Sequence, residues 1–293
     1  MFEETSVIST THYTNRLFSF KTSRPGSFRF RSGEFTMLGL ELPEDGADDA
    51  ADQSSIEPGA DYALDNSSGT VIDKQRDSKR SKKKRLMRAY SIASPSWDDE
   101  LEFFSIKVPD GQLTSRLQNI TAGDKIILGK KPTGTLVMDA LEPGRTLYLL
   151  STGTGIAPFS SLVRDPEVYE KFERVVLTHG CRTVAELQYG THVVNSIRDD
   201  ATLAEMTANK LIHYTAVTRE KHTVNGRLTA LIESGELFRD IDQPTLSAEH
   251  DRVMICGSLE MTKDLKMLCS GKGMTEGSVS RPGTFVTERA FVG

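Results

Sequence analysis

The sequence has few cysteines and no long apolar stretch. Its three cysteines, Cys181, Cys256 and Cys269, form no C-x-x-C pair. Their odd number argues against a disulfide framework and favours a reducing compartment. Because no uninterrupted apolar run approaches the roughly 18 residues that a membrane-spanning helix needs, we expect no transmembrane segment.

An overall positive charge is also missing. The formal net charge is −5 over 293 residues, so no global basic field points to nucleic acid. The acidic start, Met1-Phe2-Glu3-Glu4, does not match a secretory or mitochondrial targeting peptide, and we expect a cytoplasmic protein. The composition, 37% hydrophobic and 26% charged, is that of a soluble chain with a sizeable core.

The two halves of the chain differ in their hydrophobic pattern. Residues 5–42 and 86–139 show alternating apolar residues, frequent turn signals and one short helical stretch, which favours an antiparallel β-barrel. From about residue 144, apolar strands alternate with helical segments, which predicts a parallel sheet flanked by helices. We therefore predict two domains, a barrel over residues 1–142 and an α/β domain over residues 143–293.

A charged segment, residues 43–85, interrupts the first domain. Residues 43–65 carry eight acidic and no basic side chains, whereas residues 74–85 carry eight basic side chains and one acidic one. Since apolar residues are sparse, we predict a disordered insertion in a surface loop. The basic tract 74–85 leaves three interpretations open: a solvated loop, a site for an acidic protein partner, or a patch for nucleic acid or nuclear targeting.

A strand with unusual chemistry follows this segment. Arg88 and Tyr90 share one strand face, where a planar guanidinium suits a pyrophosphate and an aromatic ring suits a flat heterocycle. Further on, a turn at Pro109-Asp110-Gly111 precedes a short helix predicted over residues 112–117. Thr114 or Ser115 is the candidate N-cap of this helix, whose start would favour phosphate.

Three arginines follow the predicted parallel strands. Arg182 and Arg219 each lie just after a strand, and Arg227 opens the next helical segment. The carboxyl ends of parallel strands meet at a ligand crevice, so these side chains should converge and would repel one another without an anion. Arginine suits the 2′-phosphate of NADP, whereas an acidic residue would suit the free ribose hydroxyl of NAD.

Four motifs occur in a characteristic order: R-A-Y-S at 88–91, G-T-G-I-A-P at 153–158, H-G-x-R at 179–182 and C-G-S at 256–258. With them, the chain resembles the ferredoxin–NADP⁺ reductase family over roughly residues 5–42 and 86–293. It is most similar to the bacterial type, because it ends in Ala290-Phe291-Val292-Gly293 rather than in a terminal tyrosine. The resemblance implies an FAD-binding barrel, an NADP-binding α/β domain and an FAD-dependent oxidoreductase that links NADP(H) to ferredoxin or flavodoxin.

The resemblance also implies roles for individual residues. Ser91 would hydrogen-bond near flavin N5, Cys256 would face the nicotinamide, and Ala290 would cover the far face of the flavin; these are the expected catalytic positions. The expected cofactor-binding positions are Arg88, Ala89, Tyr90, Ser91, Ile106, Lys107, Val108, Gln112, Leu113, Thr114, Thr154, Cys181, Arg182, Thr218, Arg219, Arg227 and Phe291.

Within the second set, Arg88 would bind the FAD pyrophosphate, Tyr90 would stack on the isoalloxazine and Phe291 could stack on the adenine. Arg182, Arg219 and Arg227 would bind the 2′-phosphate of NADP. No metal is expected. The expected partner is ferredoxin or flavodoxin, bound transiently and electrostatically by a monomer, with no membrane or nucleic-acid partner.

Two alternatives stay open. One is an NADH-dependent reductase of the cytochrome b5 reductase or oxygenase-reductase type, against which the three arginines argue. The other is a non-enzymatic binding protein that keeps the fold and uses the basic tract 74–85. Since the chain has no C-x-x-C-type iron–sulfur module, a reductase fused to its own iron–sulfur carrier is not expected.

Overall fold

The computed structural model describes residues 2–42, 85–108 and 110–290. Two sheets follow one another along the chain, the first antiparallel and the second parallel, as the hydrophobic pattern predicts. The predicted disordered insertion lies outside the described residues, apart from Arg85, which begins a strand.

The antiparallel sheet has six strands in the order β4-β3-β6-β1-β2-β5. An isolated bridge between Ile92, which follows β4, and Phe103 in the middle of β5 links the two edges, so the sheet curves back on itself. Its interior is filled by aromatic side chains such as Phe18, Phe20 and Phe103. The strands are β1 (Phe2–His12), β2 (Leu17–Ser23), β3 (Phe35–Glu41), β4 (Arg85–Ser91), β5 (Glu100–Ile106) and β6 (Lys125–Gly129), and a short helix, α1 (Thr114–Leu117), precedes β6.

The parallel sheet has five strands in the order β11-β10-β7-β8-β9. In β7, Leu147 and Leu149 pack into one core while Tyr148 and Leu150 pack into the core on the opposite face. Burial on both faces explains why this strand reads as a continuous apolar run. The strands are β7 (Thr146–Thr152), β8 (Arg174–Cys181), β9 (Leu211–Val217), β10 (Asp251–Gly257) and β11 (Phe285–Arg289).

Helices connect the parallel strands. They are α2 (Ile156–Leu162), α3 (Pro166–Lys171), α4 (Gln188–Asp199), α5 (Ala201–Thr207), α6 (Leu228–Glu233), α7 (Glu236–Asp240) and α8 (Leu259–Gly271). The predicted boundary between residues 142 and 143 falls in the connection from β6 to β7 and stays a prediction. Within the described ranges, no helix combines the length and apolar character that crossing a membrane requires.

The two faces of β5 serve two different parts of the molecule. Leu101 and Phe103 point into the core of the antiparallel sheet. Phe104, on the opposite face, belongs to the core that also contains α2 and α4 of the parallel half. Because strand side chains alternate, Glu102 and Ile106 share the face of Phe104.

A buried ion pair and an aromatic cluster join the halves at that face. Arg164 lies just after α2, and one of its Nη atoms is 2.7 Å from Glu102 Oε2, with side chains only 14% and 8% exposed. Two residues along β5, Phe104 stacks on Tyr189 of α4, with ring centroids 3.9 Å apart and planes 8° from parallel. Tyr13 packs edge-on against both rings. This contact fixes how the two sheets lie relative to each other.

Replacing Glu102 with glutamine should strongly destabilise the fold. The change keeps the shape of the side chain but leaves the Arg164 guanidinium buried without a counter-charge, which typically costs about 3–5 kcal/mol. Urea unfolding followed by circular dichroism measures the loss. Glu173→Gln is the matched control, since the Arg145–Glu173 pair is exposed and its loss should change little. Equal effects of the two changes would contradict a special role for the Glu102 pair.

Candidate active site

A cleft of about 710 Å³ opens between the two sheets. Leu17 and Ile106, which are register partners on β2 and β5, supply its wall on the antiparallel side. The opposite wall consists of segments that follow the parallel strands, among them Thr152–Thr154. Ligand sites of open parallel sheets are expected at these strand ends.

The ends of β7 and β10 approach each other very closely. A Cβ atom on Gly155 would lie 2.1 Å from the carbonyl oxygen of Cys256, and a Cβ on Gly257 would lie 2.3 Å from Thr152 Oγ1. Gly153 has φ +53°, a backbone conformation that glycine adopts most easily. The glycine-rich turn is therefore required by packing inside the protein, in addition to any ligand that it approaches.

His179 forms a hydrogen bond to this turn from the protein interior. Its ring Nε2, assigned as the N–H, donates to the Gly153 carbonyl at 3.0 Å, and the side chain is fully buried in β8. Burial, together with a smaller contribution from the nearby His213, lowers the pKa of His179 to about 3, so the ring is neutral at physiological pH. The Cys181 thiol lies 3.2 Å from the same nitrogen, and burial raises its pKa to about 12. This interior therefore stays uncharged beneath the cleft.

The three predicted arginines all line the cleft. Arg182 is held by Glu186: its backbone N–H donates to Glu186 Oε2 at 2.9 Å, and an Nη atom donates to Oε1 at 2.9 Å. Arg219 and Arg227 are exposed, and their guanidinium groups form no hydrogen bond or ion pair with other described residues. Two guanidinium groups are thus available to an anion, and the third is already paired.

Strand β4 presents the predicted Arg88–Ser91 segment at a half-buried surface. The Arg88 guanidinium bonds only to the carbonyl of Met87 at 3.0 Å, and it forms no ion pair within the described ranges. The Tyr90 hydroxyl lies 3.1 Å from Ser105 Oγ on β5, and its ring meets Phe103 edge-on. Burial raises the pKa of Tyr90 to about 12, so the phenol keeps its proton. Strand β5 therefore also positions this ring.

Hydrogen bonds join the residues that follow β5 to the start of α1. The backbone N–H of Val108 donates to Thr114 Oγ1 at 3.1 Å, and a Cβ on Gly111 would lie 2.5 Å from the same oxygen. The prediction that Thr114 or Ser115 caps α1 is wrong. The cap position belongs to Leu113, which has helical backbone angles and offers no side-chain acceptor, and the Thr114 hydroxyl serves the preceding turn instead.

The predicted site residues other than Cys256 fall into three groups. The cleft gathers Ile106, Thr154, Cys181, Arg182, Thr218, Arg219, Arg227 and Ala290. Arg88, Ala89, Tyr90 and Ser91 lie on β4, and Lys107, Val108, Gln112, Leu113 and Thr114 lie in or next to the adjoining turn, outside the cleft wall. Phe291 is outside the described residues. The individual roles of all these residues stay predictions.

Cys256 is not brought to the cleft surface. Its side chain is 1% exposed and packs in the core beneath the strand ends. Burial raises the pKa of the thiol well above its usual range, and the neighbouring Glu288 adds to this effect. Cys256 can therefore act near the site only as a small neutral side chain.

Sequence reasoning did not single out Glu186, Glu288 or the support from His179. Glu186 lies four residues after Arg182, a spacing that could have suggested the pair. Glu288 pairs in register with Cys256, and its carboxylate accepts hydrogen bonds from the backbone and hydroxyl of Thr135. Burial raises the pKa of Glu288. No local sequence signal indicates this long-range contact.

Comparison with known proteins gives one consistent result. The family model "Oxidoreductase NAD-binding domain" matches residues 149–267. The chain is 46% identical to a flavodoxin/ferredoxin–NADP reductase of Rhodobacter capsulatus, over 98% of this chain and 93% of that protein. It is 43% identical to a ferredoxin–NADP reductase of Pseudomonas aeruginosa, over 98% and 96%. A solved ferredoxin–NADP⁺ reductase of Neisseria gonorrhoeae with bound FAD and NADP superposes with a TM-score of 0.77, at 26% identity and 99% coverage of both chains.

Replacing His179 with glutamine should flatten the acid dependence of stability. The unfolded imidazole takes up a proton near its ordinary pKa of 6.5, whereas the folded one resists protonation down to about 3. Between these values the unfolded state binds more protons, so the free energy of unfolding falls as the pH drops, by up to about 1.4 kcal/mol per pH unit. Glutamine can still donate to the Gly153 carbonyl but does not titrate, so this component disappears.

Urea unfolding between about pH 7 and about pH 4.5 measures the effect as a difference in slope from the wild type. His192→Gln is the matched control, because His192 is exposed on α4 and its loss should leave the slope unchanged. A His179→Gln protein with the wild-type slope would show that the buried ring is not what resists protonation.

Proposed function

The chain belongs to the bacterial ferredoxin–NADP reductase family, and on that premise we propose that it is an FAD-dependent oxidoreductase that transfers electrons between NADP(H) and ferredoxin or flavodoxin. The observation that carries the proposal is the cleft itself. One of its walls holds three arginines, two just after parallel strands and one at the start of α6, and the other is formed by β2 and β5. Strand β5 also contacts Tyr90, the proposed flavin-stacking residue. Family membership supports this reductase interpretation over both alternatives.

The residues around β4 fit FAD. The Arg88 guanidinium has no carboxylate partner among the described residues and suits a pyrophosphate. The Tyr90 ring is fixed at its edge and its hydroxyl by Phe103 and Ser105, so its orientation is set before a flat ring stacks on it. After β5, the backbone of Gly111 packs against the Thr114 hydroxyl, which also accepts a hydrogen bond from the Val108 N–H. FAD bound there would supply hydride acceptance from the nicotinamide and release of single electrons.

The remaining chemistry is positioning. We propose that Arg219 and Arg227, together with Arg182, bind the 2′-phosphate of NADP(H) and that Thr154 borders the nicotinamide. Ser91 would offer its hydroxyl beside the reacting flavin nitrogen. Ala290, half-buried at the cleft, would cover the flavin with only a methyl group. Cys256 is small, buried and neutral, so it would leave space for a flat ring at the end of β10.

The carrier would bind transiently and electrostatically to a monomer. Weak, charge-guided complexes exchange quickly, which suits a carrier that delivers or collects single electrons. A cytoplasmic location is also proposed, because all three cysteines are unpaired and buried, as expected in a reducing compartment. An apparent KM for ferredoxin or flavodoxin that does not rise with salt would contradict the electrostatic part.

Replacing Arg219 with alanine should reduce the preference for NADPH. The guanidinium of Arg219 is exposed in the cleft and forms no competing ion pair in the described part of the chain. Loss of a charged hydrogen-bond donor to a phosphate costs roughly 1.5–3 kcal/mol, so kcat/KM for NADPH should fall about 10- to 100-fold while kcat/KM for NADH stays nearly constant. Steady-state reduction of a small dye measures both values.

Arg281→Ala serves as the control, because Arg281 is exposed in a loop and does not line the cleft. It should leave the ratio of the two kcat/KM values at the wild-type level. If Arg219→Ala lowers the values for NADPH and NADH equally, or lowers neither, the assignment of Arg219 to the 2′-phosphate is wrong.

A further inference from the structure

The nucleotide cleft contains a carboxylate among its arginines. Glu186, near the end of the short turn at residues 184–187, lines the cleft together with Arg182, Arg219 and Arg227. Its side chain is 17% exposed, against 39% for Arg182. The carboxylate therefore lies deeper than the guanidinium with which it pairs.

The contact between them uses several donors of Arg182. Glu186 accepts from the backbone N–H, from an Nη atom at 2.9 Å and, more weakly, from Nε at 3.4 Å. Only part of the guanidinium fork thus remains for a ligand, and the charge of Arg182 is already balanced. The other two arginines have no such partner in the described ranges.

The cleft thereby combines two opposite determinants of nucleotide choice. Arginine accommodates the 2′-phosphate of NADP, and a carboxylate accepts a hydrogen bond from the free 2′-hydroxyl of NAD. A phosphate dianion placed on Arg182 would lie close to the Glu186 carboxylate and would be repelled by it. A ribose hydroxyl carries no charge and escapes that repulsion.

We infer that Glu186 is a specificity-determining residue that limits the preference of this cleft for 2′-phosphorylated nucleotides. It weakens binding of the 2′-phosphate by repulsion and by occupying Arg182, and it leaves binding of the unphosphorylated ribose unaffected or slightly favoured. The inference rests on the proposed function, because it takes the three arginines as the site of the 2′-phosphate.

Calorimetry on the full-length holoprotein tests this without any electron transfer. The probes are adenosine 2′,5′-bisphosphate and adenosine 5′-monophosphate, which differ only in the 2′-phosphate. Glu186→Gln removes the charge but keeps an amide oxygen that can still accept from Arg182. We expect this variant to bind the bisphosphate about 3- to 30-fold more tightly than the wild type does, with little change for the monophosphate.

Glu260→Gln provides the matched control, since Glu260 lines the same cleft at the start of α8 and forms no ion pair with a described residue. Its affinity ratio for the two probes should stay near that of the wild type. The kcat/KM ratio of NADPH to NADH should rise in Glu186→Gln by a factor similar to the change in binding. Flavin content and circular dichroism check that each variant is folded.

Two results would overturn the inference and leave the proposed function intact. In one, Glu186→Gln binds the bisphosphate more weakly, which would make Glu186 a positioning residue for Arg182. In the other, the ratio of affinities for the two probes does not change. If neither the wild type nor Glu186→Gln binds the bisphosphate more tightly than the monophosphate, the cleft is not a 2′-phosphate site, and the proposed role of the arginines fails together with the inference.

Discussion

The buried contact between β5 and the parallel half is the constraint on which the rest of the structure depends. On one face of this strand, Glu102 pairs with Arg164, Phe104 stacks on Tyr189, and Ile106 forms part of the cleft wall. On the other face, Phe103 and Ser105 hold the ring and hydroxyl of Tyr90. The two-residue period of a single strand thus connects the proposed flavin site to the proposed nucleotide cleft. Any relative movement of the sheets would have to break a buried ion pair and an aromatic stack.

The cleft itself depends on close backbone packing and on charge balance. Gly155 and Gly257 let the ends of two parallel strands approach to distances that no side chain would permit, and His179 supports the same turn with an uncharged ring. Above this neutral interior, the charges of the arginines are only partly balanced by Glu186. An uncharged, buried base beneath exposed arginines suits the proposed recognition of an anion by electrostatics and position.

Local pattern was enough to predict the two sheets, because alternation and continuous apolar runs report directly on one-sided and two-sided burial. It also indicated that Arg182, Arg219 and Arg227 meet, since parallel strands end at the same edge. The pairing of Glu102 with Arg164 could not be predicted from the sequence, because the two residues lie 62 positions apart and neither stands out among its sequence neighbours. The start of α1 was mispredicted for a similar reason. Thr114 and Ser115 are residue types that cap helices, but Thr114 Oγ1 accepts a hydrogen bond from the Val108 N–H, and Leu113 occupies the cap position.

We propose that NADPH reduces an FAD that is bound against Tyr90 of this chain. Anaerobic stopped-flow mixing of the purified holoprotein with NADPH tests it most directly. We expect a yellow protein whose flavin absorption is bleached by NADPH, more slowly by NADH at the same concentration, and restored when oxidised ferredoxin or flavodoxin is added. A colourless protein, or a flavin that NADPH leaves oxidised, would contradict it.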